Sequence, residues 1–80
     1  MKKIYSNKDA DIEIYILFSV WTKFHYQDTR FSAKNVLINW GQTVKIFDSL
    51  DDAINCDAME WLSPDNKAIA QAKLTLAWLK

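Results

Sequence analysis

The sequence predicts an α+β fold, a three-stranded, mainly antiparallel sheet followed by two C-terminal helices in the order β-β-β-α-α. Three observations predict it: an alternating apolar segment near the N-terminus, a pair of short apolar runs separated by Gly41-Gln42, and two helix starts marked by Ser49 and by Ser63-Pro64. Eighty residues leave room for one core, so 1–80 is expected to form a single small domain. One Gly, one Pro and 50% hydrophobic residues are proportions of a chain that folds. With one cysteine, four Trp, four Phe and three Tyr must supply much of the buried area.

The first strand is expected over Asp11 to Lys23. Ile12, Ile14, Ile16, Phe18 and Val20 occupy alternate positions, and β-branched and aromatic residues dominate. The same segment also fits a helix capped by Asp9 or Asp11, because Ile12, Ile16, Val20 and Phe24 are four apart; the alternation favours the strand. A polar loop, His25 to Arg30, follows. Asn35–Trp40 and Thr43–Phe47 then read as a hairpin whose turn has Gly at its first central position. This pairs Trp40 with Thr43, Ile38 with Lys45 and Val36 with Phe47 on one face, and Leu37 with Ile46 on the other.

Ser49, with Asp48, Asp51 and Asp52 around it, starts a helix from Leu50 to about Leu62, since the positive end of a helix dipole favours acids in its first turn. At about 100° per residue, Leu50, Ile54, Ala58 and Trp61 form its apolar stripe. Ser63 and Pro64 restart the chain as a second helix to about Leu79. That helix carries two stripes: Ile69, Ala72, Leu76 and Leu79, and on another side Ala70, Leu74 and Trp78. Wedging between the sheet and the preceding helix would cover both; otherwise Leu74 and Trp78 are free for a partner or a homodimer through the C-terminal helix. The expected core is Ile14, Ile16, Phe18, Leu37, Ile46, Leu50, Ile54, Trp61, Ile69 and Leu76.

Enzyme chemistry finds no footing, so a non-enzymatic protein without cofactor or metal is expected. There is no Gly-rich loop, no paired Cys or His at metal-ligand spacing and no serine in a nucleophile setting. His25 and Cys56 lie far apart, His25 between two aromatics in a loop, and Cys56 reads as an inert small side chain or a surface thiol. No apolar run approaches the roughly 20 residues needed to span a bilayer, and the polar start lacks a signal-type core. The expectation is a cytoplasmic protein with no membrane partner.

Charge is unevenly distributed although the formal total is zero. Residues 1–47 carry seven cations and four acids, net +3; residues 48–66 carry six acids and no cation; residues 67–80 carry three lysines and no acid. The acids continue past the first helical turn without a Lys or Arg at four-residue spacing. An acidic face of Asp51, Asp52, Asp57 and Glu60, with Trp78 and neighbouring aromatics, is therefore the first candidate partner-binding surface. It suits a protein partner with a basic surface such as a nucleic-acid-binding complex presents. The type matches a stoichiometric inhibitor, of which small phage or mobile-element anti-CRISPR proteins are examples.

The alternative is a small nucleic-acid-binding module. Lys23, Arg30, Lys34 and Lys45 are interleaved with Trp21, Phe24, Tyr26 and Trp40, the mixture of cations and stacking rings found on sheets that hold nucleic acid. The nine residues Lys45 to Ala53 also resemble the last-strand-to-helix junction of plant ethylene-response and integrase arm-binding domains. Those are three-stranded sheets with one packed helix that bind DNA through the sheet. The resemblance implies a topology and assigns no site residues.

Overall fold

The computed structural model describes the backbone of residues 1–23 and 29–80, and the side chains of residues 1–17 and 34–80. It is an α+β structure with a four-stranded antiparallel meander: β1 (Lys2–Asn7), β2 (Ile12–Lys23), β3 (Thr29–Trp40) and β4 (Thr43–Phe47). Two helices follow, α1 (Leu50–Ile54) and α2 (Pro64–Leu79), with a 3₁₀ helix, Asp57–Trp61, between them.

The first apolar segment is a strand, and the sheet has one strand more than the sequence suggests. The extra strand, β1, reads as polar because only Ile4 and Tyr5 of Lys2–Asn7 are apolar, and its register shifts between Lys3 and Tyr5. A lysine-bearing edge strand of this kind resists pairing with another chain. Its turn is built locally: Asn7 Oδ1 accepts from the amides of Asp9 (3.0 Å) and Ala10 (3.2 Å), and Asp11 adopts φ 56°. The neighbouring β3–β4 turn has Gly41 at φ 61°, as the hairpin requires, and the Gly41 amide donates to the Asp11 carbonyl at 2.9 Å. The β3–β4 register is the expected one at all four pairs, from Trp40 opposite Thr43 to Val36 opposite Phe47.

β3 begins earlier than expected, at Thr29, so Thr29 and Arg30 belong to a strand; the rest of the expected loop, His25 to Asp28, lies outside the described residues. β1 pairs β2 only as far as Ile16, and β4 pairs β3 only from Val36. Among the described residues, the backbone from Leu17 to Lys23 and from Thr29 to Asn35 therefore pairs only with itself, as a ribbon extending from the sheet.

The helices cover one face. Ile12, Ile14 and Ile16 of β2 and Val36 and Ile38 of β3 are buried against Ala53, Ala58, Met59, Leu62, Ala70 and Leu74. The β2–β3 register decides which face this is, because it places Ile14 opposite Ile38 and Ile16 opposite Val36. Leu37 and Ile46, expected in the core, consequently lie on the open face, where Leu37 is half-buried and Ile46 is exposed. A one-residue difference in pairing exchanges the two faces of a strand, and the sequence supplies no turn that sets this register. Phe18 lies outside the described side chains.

The expected helix from Leu50 to Leu62 breaks after one turn. Ser49 caps it as predicted, its Oγ accepting from the Asp52 amide at 3.2 Å. Asn55 then ends it by donating from its side chain to the Asp51 carbonyl at 2.9 Å, and Gln71 donates to the Ile54 carbonyl at 2.8 Å. The Ile54 carbonyl, left open by the helix end, is thereby satisfied, while the Asp51 carbonyl also accepts from the Asn55 amide at 3.2 Å. The tighter 3₁₀ period after the break puts Ala58, Met59 and Leu62 inside and Trp61 outside, whereas an unbroken helix would have buried Trp61. Leu50 and Ile54 remain half-buried as expected contacts to the core.

The second helix starts as predicted, Ser63 Oγ accepting from the Asn66 amide with Pro64 in the first turn. Its buried stripe is Ala70 and Leu74 with Ala77 and Trp78 beside them, while Ile69 and Leu76, expected inside, are exposed. The small side chains of Ala70 and Ala77 allow the helix to lie close to the sheet, so Leu74 fills the gap between them. α2 is thus covered on one side only. Leu74, offered with Trp78 as a partner surface, is completely buried within the chain. No helix among the described residues is long and apolar enough to cross a membrane.

Candidate functional site

On either side of the break at Asn55, Asp51, Asp52, Asp57, Glu60 and Trp61 are all exposed. Asp51 and Asp52 sit in the first turn of α1, where they complement the helix dipole. Asp57 and Glu60 follow on the 3₁₀ helix, with side chains 83% and 72% exposed. The expectation that these acids have no cationic partner is only half met. Lys45 of β4 approaches Asp57 at 3.7 Å and Lys67 of α2 approaches Glu60 at 3.5 Å. Tertiary structure supplies what the helix sequence lacks. Exposed pairs at these distances contribute little stability, between about 0 and 1 kcal/mol, so both acids stay open to a competing cation. Asp51 and Asp52 have no cation within ion-pair reach among the described residues.

Trp61, like Ile46, Ile69 and Leu76, was expected in the core and is exposed. Its side chain is 68% exposed, yet it is not loose: the ring packs on Trp40 with centroids 5.8 Å apart at 49°. Lys45 lies over the other ring, 5.6 Å from the Trp40 centroid. A continuous chain of contacts therefore runs from Trp61 through Trp40 and Lys45 to Asp57. Asp52, Cys56 and Asp57, with Lys45 and Phe47, line a shallow cleft of about 300 Å³ beside it. Cys56 is buried, which leaves the inert reading of this thiol. The signal for Trp61 lay in Asn55 and Cys56, residues poor at continuing a helix.

Trp78, grouped with the acidic surface from the sequence, is half-buried at the far end of α2. There Lys34 Nζ donates to its carbonyl oxygen at 2.6 Å and stands 5.8 Å from its ring. Lys34 thus caps the helix C-terminus, where a cation is favoured. The alternative nucleic-acid face is described only in part. Register places Lys34, Lys45 and Trp40 on the helix-covered side with Ile16, Ile38 and Ile12. The side chains of Lys23, Arg30 and Trp21 lie outside the described residues; their backbone belongs to the ribbon, with Trp21 opposite Phe31 and Thr22 opposite Arg30.

On the open face, Lys3 Nζ pairs with Glu13 at 2.9 Å and stands 5.9 Å from the Tyr15 ring centroid. The hydrogen bond from Lys3, and then its charge, hold the Glu13 carboxyl below its usual range, and the same contact raises Lys3. Among the described residues no group of three His, Cys, Asp or Glu side chains is placed to hold a metal, and no polar or charged side chain is buried. No protein-family model matches the chain, and no curated protein or solved structure matches it.

Proposed function

We propose that the protein acts by stoichiometric binding, without chemistry of its own, and that Asp51, Asp52, Asp57, Glu60 and Trp61 engage a protein partner with a basic surface. The observation that carries this reading is the exposed Trp61 ring, held against Trp40 and linked through Lys45 to the exposed Asp57. A large ring fixed before contact loses little conformational freedom on binding, and tryptophan is enriched among residues that dominate interface energy. The exposed acids raise the association rate and select against acidic partners more than they add affinity. A nucleic-acid-binding complex offers the required basic groove, and a cytoplasmic inhibitor of the anti-CRISPR type is the kind of protein this reading describes.

Capture from nuclease-treated lysate of the source cell, read by mass spectrometry at low and moderate salt, tests it. The wild type should recover one protein or complex in near-stoichiometric amount, less of it as salt rises. Asp51→Lys with Asp52→Lys, and separately Trp61→Ala, should each reduce recovery at least about tenfold, with circular dichroism unchanged. Recovery indifferent to both variants, or dependent on nucleic acid, contradicts the reading.

A further inference from the structure

A second concave surface opens between β1 and the C-terminal half of α2, remote from the acidic surface. It encloses about 340 Å³, with Lys2, Lys73 and Lys80 on its walls and Ile4, Leu76 and Ala77 as an aliphatic floor. Lys3 also borders it, but the Lys3 ammonium is held by Glu13. No carboxylate among the described residues comes within ion-pair reach of Lys2, Lys73 or Lys80. Lys73 instead stands 6.0 Å from the ring centroid of Tyr5.

The helix dipole accounts for Lys80, the C-cap of α2, and leaves Lys2 and Lys73 unexplained. It favours cations only in the last turn, where Lys34 already serves the Trp78 carbonyl; Lys73 lies mid-helix and Lys2 on a strand. Three like charges around one cleft repel each other until an anion joins them, and a doubly charged anion can accept from more than one ammonium. The floor calls for something apolar, and among the described residues no aromatic ring lines the cleft to stack on a base. We propose that this cleft binds an organic phosphate with an aliphatic body, the phosphate among Lys2, Lys73 and Lys80 and the chain along Ile4, Leu76 and Ala77. The ester is either free in solution or the headgroup end of a lipid. This site does not depend on the acidic surface.

Amide chemical-shift titration with hexyl phosphate and with inorganic phosphate, at low salt, tests the site. Saturable shifts are expected at Lys2–Ile4 and at Lys73–Lys80, with hexyl phosphate bound at least about tenfold more tightly than inorganic phosphate, since each buried methylene adds affinity. Lys73→Glu and, separately, Lys2→Gln should weaken hexyl phosphate by about tenfold or more while the spectrum stays dispersed. Lys8→Glu, away from the cleft, should leave it unchanged. Absence of saturation, equal affinity for the two phosphates, or indifference to both cleft variants overturns the proposal. Co-sedimentation with vesicles containing phosphatidic acid, lost in Lys73→Glu, would identify the lipid source. Hexyl phosphate saturation without vesicle binding would identify the free ester. Vesicle binding without hexyl phosphate saturation overturns the cleft as the site.

Discussion

The two helical segments begin alike and end differently. Each starts with a serine whose hydroxyl accepts from the amide three residues on, and the first turn holds Asp51 and Asp52 in one and Asp65 in the other. The first lasts five residues and gives way at Asn55 to a 3₁₀ helix; the second runs sixteen. The unbroken helix lays Ala70 and Leu74 on the sheet and holds the fold. The broken one turns Trp61 and its acids outward. Shared caps set where a helix begins, and the side chains that compete for its carbonyls set what it presents.

The largest expected effect lies on the long helix. Leu74→Ala empties a fully buried position and should cost about 2–5 kcal/mol, whereas Leu76→Ala, on a side chain 64% exposed, should stay within about 0.5 kcal/mol. Urea denaturation of both variants measures the contrast; equal losses would mean that the stripes are exchanged. Next in size are the caps. Ser63→Ala should cost about 1 kcal/mol and Ser49→Ala no more than that, because the shorter helix has fewer residues to hold in register. A larger loss at Ser49 would show that α1 carries more of the fold than its length indicates.

Trp61→Ala should cost stability only about what one tilted aromatic pair contributes, ~1 kcal/mol, while removing the capture described above. Loss of several kcal/mol would return Trp61 to a core role. The smallest effect is on the open face. Glu13, whose carboxyl is lowered by Lys3, contributes stability that is present above its unfolded-state value and is lost as pH falls through the folded one. Thermal melts from neutral to acid pH should therefore show a slightly smaller acid loss in Glu13→Gln than in wild type. Lys3, raised by the same contact, contributes below its unfolded-state value and loses that contribution as pH rises through the folded one. An identical acid profile in Glu13→Gln would leave the pair without energetic weight.

Local chemistry was the readable part of this chain. Gly41 announced the β3–β4 turn and its register, alternation from Ile12 announced β2, and Ser49 and Ser63-Pro64 announced both helix starts. What escaped depended on distant partners. β1 has too few apolar residues to stand out, and forms by pairing with β2. The buried face of β3 follows from its pairing with β2. Leu74 and Leu76 are equally apolar in sequence, and only the approach of the sheet separates them. The exposure of Trp61 was not legible, because Trp61 falls on the inner stripe of any unbroken helix. Of the cations expected on a sheet face, Lys34 reaches a helix end and Lys45 reaches Asp57 and Trp40, while the side chains of Lys23 and Arg30 lie outside the described residues.

Amide hydrogen exchange of the complex, once the partner has been captured, tests the central claim most directly. Binding through the acidic surface predicts slowed exchange from Leu50 to Trp61 and in β4, with the C-terminal half of α2 unchanged. Protection confined to the ribbon of β2 and β3, or to the open face of the sheet, with Leu50 to Trp61 exchanging as in the free protein, would contradict it.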